Sequence, residues 1–523
     1  MDLNAELKSL TADPALANAI AQLVQRHVAA AQNEAVQHKT ELHAAQTKIQ
    51  ALVLELAHLK RMRFGVRSEA LDAESRDLFQ ETLASDVAAA EIELAKRQAE
   101  AAQTPAPPKP PRERAGRQPL PDHLTRIEHR HEPESCTCGT CGKDLVLIGE
   151  DISEQLDVEP PKFFVHRHIR PQYACRSCET VTAAPIPPAV IDGGMAAVGL
   201  LAWVVIGKYL DHLPLYRLEQ IAAREGVTLA RSTLAEWVGR IGVALQPLAD
   251  RLAELLRERP ILHADETPVQ QLDPGNGKTK RAYLWAYRSN ALETGPPIVV
   301  FDYQTSRSGS HARDFLGAWS GSLMVDDYGG YKQIFAKGVT ELGCFAHARR
   351  KYFDLNHEQP HPIAQEALLR IAALYEIEAR GKDMTRAERT ELRQRESVPL
   401  LNEMHAWLLS TRLTVANGGG TAKAIDYSLK RWAALSRYAT NGALPIDNNP
   451  VENSIRPICV GKKNWLFVGS ERAGKRAAAI QSLLMTAALN GLDPAAWLCN
   501  TLGKLPTCLN SQIDSLLPLR PDQ

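Results

Sequence analysis

Neither sign of charge dominates this 523-residue chain. Its 61 Lys and Arg are matched by 61 Asp and Glu, so only the distribution of charge can point to a polyanionic partner. An apolar run long enough for a membrane is also missing. The longest, Met195 to Ile206, gives way to Lys208 and is too short to cross a bilayer. The polar N-terminus has no apolar core ahead of a small-residue cleavage site, so no secretory signal is read. Nine cysteines, five of them clustered, do not make the disulfide framework of a secreted protein. These absences point to a cytoplasmic protein with no membrane partner. Pro and Gly are missing altogether from Ala15 to Arg63, which leaves an uninterrupted helix open there. The length calls for several domains, and 44% apolar with 23% charged residues is ordinary globular composition.

That stretch free of helix breakers carries an apolar repeat of seven. Val28, Ala35, Leu42, Ile49 and Leu56 fill one seam position; Ala31, Ala45, Leu52 and Leu59 fill the other, with His38 as the exception. Residues 1–65 therefore read as a coiled-coil oligomerisation region ending at Lys60-Arg61-Met62-Arg63-Phe64-Gly65. A helix packed on its own domain is the alternative. Residues 66–121 read as an Ala- and Glu-rich helix followed by an extended linker, with seven prolines between Thr104 and Pro121.

Residues 122–190 hold two C-x-x-C knuckles, Cys138/Cys141 and Cys175/Cys178. Four thiolates in this arrangement can close a tetrahedron around zinc, and Gln155 to Val158 and Phe163 to Ile169 alternate like the strands of a zinc ribbon. Cys136, two residues upstream, leaves the register of the first knuckle open. Residues 191–258 turn helical. Leu215 to Glu225, a turn at Gly226 to Leu229, and a helix from a capping Ser232 to Val243 match a helix-turn-helix, or an ordinary helical hairpin.

From 259 to 490 the pattern is that of an α/β domain. Strands are read at Ile261 to Leu272, Arg281 to Tyr287 and Ile298 to Tyr303. A helix near 310–318 follows, then a strand ending at Asp326, a strand at Val339 to Phe345, and a helix through Ala346 to Phe353. Three strands followed by alternating helix and strand is the order of a ribonuclease-H-like fold, which sets the ends of its first and fourth strands side by side. Asp265 in H-A-D-E-T-P and Asp326 in M-V-D-D-Y-G-G-Y occupy those ends. Glu452, in D-N-N-P-V-E-N-S-I-R-P, opens a helix after a helical insertion at 356–445, with helices read near 363–380, 385–411 and 421–440. Carboxylates so placed are what a pair of divalent cations on a phosphodiester requires. Between Thr421 and Ile480, ten Lys and Arg face four Asp and Glu, so positive charge gathers around Glu452. Arg456, Lys462, Lys463, Arg472 and Lys475 on that stretch, with Arg231 and Ser232 at the second helix of the pair, are candidate DNA contacts. Trp465 reads either as a base-stacking residue or as core. Cys344 and His347 form a C-x-x-H pair with no obvious further ligands, which favours a structural role. Residues 491–523 form a C-terminal tail.

The fold class is thus multidomain α+β. Over nearly its whole length the chain resembles transposases of the insertion-sequence-66 family, of the Asp-Asp-Glu type. The resemblance is carried by K-R-M-R-F-G, the Cys138–Cys178 unit, H-A-D-E-T, D-D-Y-G-G-Y, C-F-A-H-A-R-R-K-Y-F, D-N-N-P-V-E-N-S-I-R-P and G-K-K-N-W-L-F-V-G-S. It departs from the family where Asp327 stands in place of a glycine. The resemblance implies that Asp265, Asp326 and Glu452 hold magnesium or manganese. It implies cleavage at the ends of a mobile element, exposing 3′-hydroxyls, and their transfer into target DNA. Terminal inverted repeats, a second protomer and accessory proteins of the same element would be partners. A DNA-binding regulator without catalysis and a structure-selective nuclease without strand transfer are the competing classes.

Overall fold

The computed structural model describes residues 188–520 except 274, 359 and 360, together with 162–167, 172–174 and 181–183. The coil expected at 20–60, the linker and the cysteines Cys136, Cys138, Cys141, Cys175 and Cys178 lie outside these residues. The chain divides into two units, one of Met1–Val36 with Thr104–Val165 and the other of Gln37–Gln103 with His166–Gln523. Of the first, residues 162–165 are described and are irregular. The strand expected from Phe163 is not formed over 162–167, where Phe164 and Val165 are 78% and 89% exposed. Alternation yields a strand only where one face finds cover.

In the second unit, β1 (Gln172–Ala174) and β2 (Val181–Ala183) pair antiparallel, with Ala174 opposite Val181. Helices α1 (Val198–Tyr209), α2 (Leu215–Arg224), α3 (Arg231–Ala244) and α4 (Gln246–Arg257) follow. Gly226, at φ 75°, supplies the left-handed turn that ends α2. Ala230 occupies the N-cap of α3, so the expected cap at Ser232 is displaced: its side chain is exposed within the first turn. A hydroxyl caps only from just outside the helix. α4 buries Leu248, Leu252 and Leu256 along one stripe and leads directly into the sheet.

The sheet contains β3 (Ile261–Asp273), β4 (Lys278–Ser289), β5 (Val299–Gln304), β6 (Ser322–Val325) and β7 (Thr340–Gly343), in spatial order β5-β4-β3-β6-β7. The first three are antiparallel; β6 and β7 run parallel to β3. α5 (Gly309–Leu316) makes the crossover to β6, and α6 (Lys332–Phe335) precedes β7. Central β3 is buried along most of its length, polar residues included, because both of its faces are covered.

Between β7 and the D-N-N-P-V-E segment come α7 (Phe345–Glu358), α8 (Pro362–Arg380), α9 (Arg386–Leu392), α10 (Val398–Thr414), α11 (Gly420–Lys430) and α12 (Trp432–Ser436). A π-helical turn at Arg393–Ser397 joins α9 to α10. Arg393, fully buried, donates to the carbonyls of Tyr438, Asn441 and Leu444 and to Glu378, tying three segments of the insertion together. The single helix expected at 421–440 is broken: Arg431 leaves helical geometry, with its guanidinium held by Asp327 and Glu341, and a 3-10 turn takes Arg437–Thr440.

α13 (Asn449–Trp465) and α14 (Glu471–Leu489) then cover the sheet, and α15 (Pro494–Lys504) is followed by 3-10 turns at Leu505–Thr507 and Asn510–Leu516. Val451, Ile455, Ile458 and Cys459 of α13 recur at helical spacing and bury against Val269, Ala282, Leu284 and Ala286. Edge strand β5 gives its outer amides to α14: Val299 N–H donates to Thr486 Oγ1 at 3.2 Å and Phe301 N–H to Ser482 Oγ at 2.8 Å. These bonds satisfy an edge that would otherwise pair with another chain. No helix among the described residues is long and apolar enough to cross a membrane.

Candidate active site

Asp265 lies on β3, and Asp326 is the first residue beyond β6. The parallel register pairs Leu262 with Leu323 and His263 with Met324, so each aspartate stands two residues past the last paired position of its strand. The two strands thus carry their carboxylates to one level of the sheet. The Asp265 carboxylate accepts the Glu266 amide at 2.8 Å, and the Asp326 carboxylate accepts the Tyr328 amide at 2.8 Å.

The D-N-N-P-V-E segment brings the third carboxylate. Asn448, fully buried, donates through Nδ2 to the Ala264 carbonyl at 3.0 Å and accepts from His263 Nδ1 at 3.0 Å. This amide pins the start of α13 to β3 immediately before Asp265. Burial holds His263 down at about 4, so its ring is neutral at physiological pH. Asp447 accepts from Tyr375 Oη at 2.9 Å and from the Asn449 amide at 3.1 Å. Pro450 stands in the first turn, where its missing N–H costs nothing, and its carbonyl accepts from Arg288. Glu452 follows in the same turn and is 6% exposed.

The structure supplies what the sequence left missing around the C-x-x-H pair. Cys344 Sγ accepts the Asn448 amide at 3.3 Å, and His347 Nδ1 lies 3.8 Å from Glu452 Oε1. Donor atoms of Cys344, His347 and Glu452 all fall within 4.8 Å of one another. The pair thus braces both the N-cap of α13 and Glu452.

Glu266 was not singled out by the sequence, although a second acid beside Asp265 in H-A-D-E-T-P was a usable signal. Its carboxylate is buried and accepts from Arg307 Nε at 2.7 Å and from Tyr331 Oη at 2.9 Å. Burial and then the charge of Asp326 push it up to about 7, against the pull of Arg307. Arg307 lies over the Tyr328 ring, 4.1 Å from its centroid. Burial raises the Tyr331 phenol well above its ordinary range, and the charges of Glu266, Asp265 and Asp326 add to this. A Cβ at Gly330 would meet the Tyr328 ring at 2.2 Å, so the D-D-Y-G-G-Y turn needs a glycine there. Asp327 turns to the insertion instead, where its carboxylate accepts from Arg431 at 2.6 Å.

The basic candidates separate. Lys462 points inward, donating to Thr267 Oγ1 at 3.0 Å and the Pro268 carbonyl at 2.7 Å, so it clamps α13 to β3. Lys463 and Arg472 are exposed, Arg456 is half-buried, and Lys475 pairs with Glu471 at 2.7 Å. Arg231 pairs with Glu219 at 3.2 Å, linking α3 to α2. Trp465 packs partly buried against the core beneath α13.

Comparison with known proteins identifies the family. Residues 193–476 match the family described as "Transposase IS66 family", and 135–179 match the "zinc-finger binding domain of transposase IS66". Residues 51–128 match "Transposase C of IS166 homeodomain", and 482–519 the "IS66 C-terminal element". The chain belongs to the IS66 family of transposases. It is similar to "Uncharacterized protein y4qI" of Sinorhizobium fredii, 37% identical over 517 residues, covering 95% of this chain and 94% of that one. It is likewise similar to y4jD of the same organism, 38% identical over 413 residues, covering 76% and 81%.

Proposed function

We propose that the chain cuts DNA at the ends of its element and joins the exposed 3′-hydroxyls to target DNA, using Asp265, Asp326 and Glu452. The observation that carries this is the convergence of parallel strand ends bearing the two aspartates with a helix pinned to Ala264 and bearing Glu452 in its first turn. Strand order β5-β4-β3-β6-β7, with only β4 opposed to its two neighbours, supports reading this domain as ribonuclease-H-like.

The donors fit divalent cations: they are hard carboxylate oxygens, and the charges of Asp265 and Asp326 reach Tyr331, adding to the rise that burial gives its phenol. Magnesium or manganese bound there would activate a nucleophile and stabilise a leaving oxygen. In the first reaction water attacks the phosphodiester and a 3′-oxygen leaves as the 3′-hydroxyl; in the second that 3′-hydroxyl attacks a target phosphodiester, whose own 3′-oxygen leaves as the P–O bond to it breaks. The protein's contribution is placement. Asp265 is fixed by the sheet, the Asp326 turn by the Glu266–Arg307–Tyr331 contacts, and Glu452 by Asn448, Cys344 and His347. Zinc on Cys138, Cys141, Cys175 and Cys178, end recognition by that unit with α2 and α3, and pairing of protomers through 20–60 complete the proposal. The test is magnesium-dependent nicking of DNA carrying the element's ends, followed by joining of a pre-cut end into a plasmid. Nicking without joining would leave a nuclease; binding with neither would leave a regulator.

A further inference from the structure

A cavity of about 370 Å³ lies between α1 and α3 on one side and residues 465–477 on the other. Its wall is largely apolar and aromatic, with Tyr209, Trp465 and Phe467 among the lining residues, and three cations, Lys208, Arg472 and Arg476, reach it. Among the described residues, no Asp or Glu lines it. Lys208 is mostly buried; its ammonium lies 5.4 Å from the Tyr209 ring centroid, and burial lowers it with no acidic neighbour to oppose that. Burying a cation without a counter-charge is costly, which calls for a ligand that brings its own negative charge. Arg476 is admitted by two glycines of α3: a Cβ at Gly239 would meet its guanidinium at 2.9 Å, and one at Gly242 its Cβ at 2.6 Å.

The cavity's mouth is built, not frayed. Leu466 takes φ 62°, in the left-handed region, and is 63% exposed beside Phe467 at 41%. The turn is fixed to β3 by Val468, whose amide and carbonyl bond Gln270 and Leu272 at 2.8 Å each. Val269, at the cavity wall, is four residues along β3 from Asp265 and therefore on the same face, about 13 Å away at ~3.3 Å per residue.

Aromatic faces, unopposed cations and a volume in the small-ligand range suit one chemistry, a nucleobase with its phosphate. We propose that this cavity takes one unpaired nucleotide of the DNA bound at the carboxylates, its base against Trp465 and Tyr209 and its phosphate on Lys208, Arg472 and Arg476. This rests on reading the chain as an enzyme that acts on DNA.

The test is equilibrium binding of the full chain to three DNA probes bearing the element's end. One is a fully paired duplex, the second carries a single unpaired thymidine, and the third has an abasic site at that position. The thymidine probe should bind about tenfold more tightly than either of the others. Lys208→Met, which keeps the apolar stem, should remove that preference and leave affinity for the paired duplex unchanged. Trp465→Leu should remove it as well, with the melting temperature of each variant recorded as a control on folding. Equal affinity of the parent for all three probes would overturn the proposal, as would a preference that survives in folded Lys208→Met. Failure to bind any of the probes would instead strike the transposition reading itself.

Discussion

Asp326 and Asp327 are neighbours with different surroundings, and the difference is electrostatic. Asp327 is held by Arg431, which is itself buried and also pairs with Glu341, whereas Asp326 faces the buried acid Glu266. Asp327→Ala is therefore expected to retain cleavage while lowering stability by about 1 kcal/mol, since its carboxylate is half-exposed and Arg431 keeps a second partner. Chemical denaturation alongside a nicking assay checks both halves, and a stable but inactive variant would move the second carboxylate by one residue. Glu293 offers a pH test away from the chemistry. Burial raises its carboxyl from 4.5 to about 7, against Arg259 and Arg386. A raised folded-state value means the group's contribution is fully present below 4.5 and is lost as pH rises through about 7. Glu293→Gln should flatten the fall in stability across that window; an unchanged profile would remove Glu293 as its source. The three carboxylates stood out in the sequence because each occupies an unusual local string. Glu266 and the bracing of Glu452 by Cys344 and His347 did not, because their partners lie in other elements of the chain.

At the level of elements, α13 decides the geometry. Its apolar stripe sets which face meets the sheet, and Asn448, Cys344 and Lys462 set its height along β3. Adjacent lysines on its last turn then separate fold from partner. Lys462→Met removes hydrogen bonds from a charged donor and should cost about 1.5–3 kcal/mol of stability. Lys463→Met, at an exposed position, should reduce the salt dependence of DNA binding by a slope of about 1. Thermal unfolding and a salt titration distinguish the pair; reversed outcomes would mean that Lys462 faces phosphate. The strands of the sheet and the Gly226 turn were legible from periodicity and turn residues. The break at Arg431 was not, because the residues that hold its side chain there, Asp327 and Glu341, lie on distant segments. Nor was the displaced start of α3, since Ser232 is a good cap by residue type and only the observed helix start excludes it.

For the whole molecule, matches to the IS66 family extend along the chain from 51–128 to 482–519. Four thiolates at Cys138, Cys141, Cys175 and Cys178 are expected to bind one zinc per chain. Metal analysis should find that ion retained in Cys136→Ser and lost in Cys138→Ser; the opposite pattern would shift the first knuckle by one register. The order of strands and helices followed from the sequence because burial and turns are local signals. The side-by-side ends of β3 and β6 followed from that order, whereas the seating of α13 on β3 through Asn448 required contacts that only the folded chain displays. The most direct test of the central claim is magnesium-dependent cleavage of end-containing DNA by the full chain and by Asp265→Ala, Asp326→Ala and Glu452→Ala, with DNA binding measured in parallel. The account predicts cleavage by the parent, less than about one hundredth of that rate in each variant, and DNA affinity retained throughout. Variants that cut as fast as the parent would contradict it.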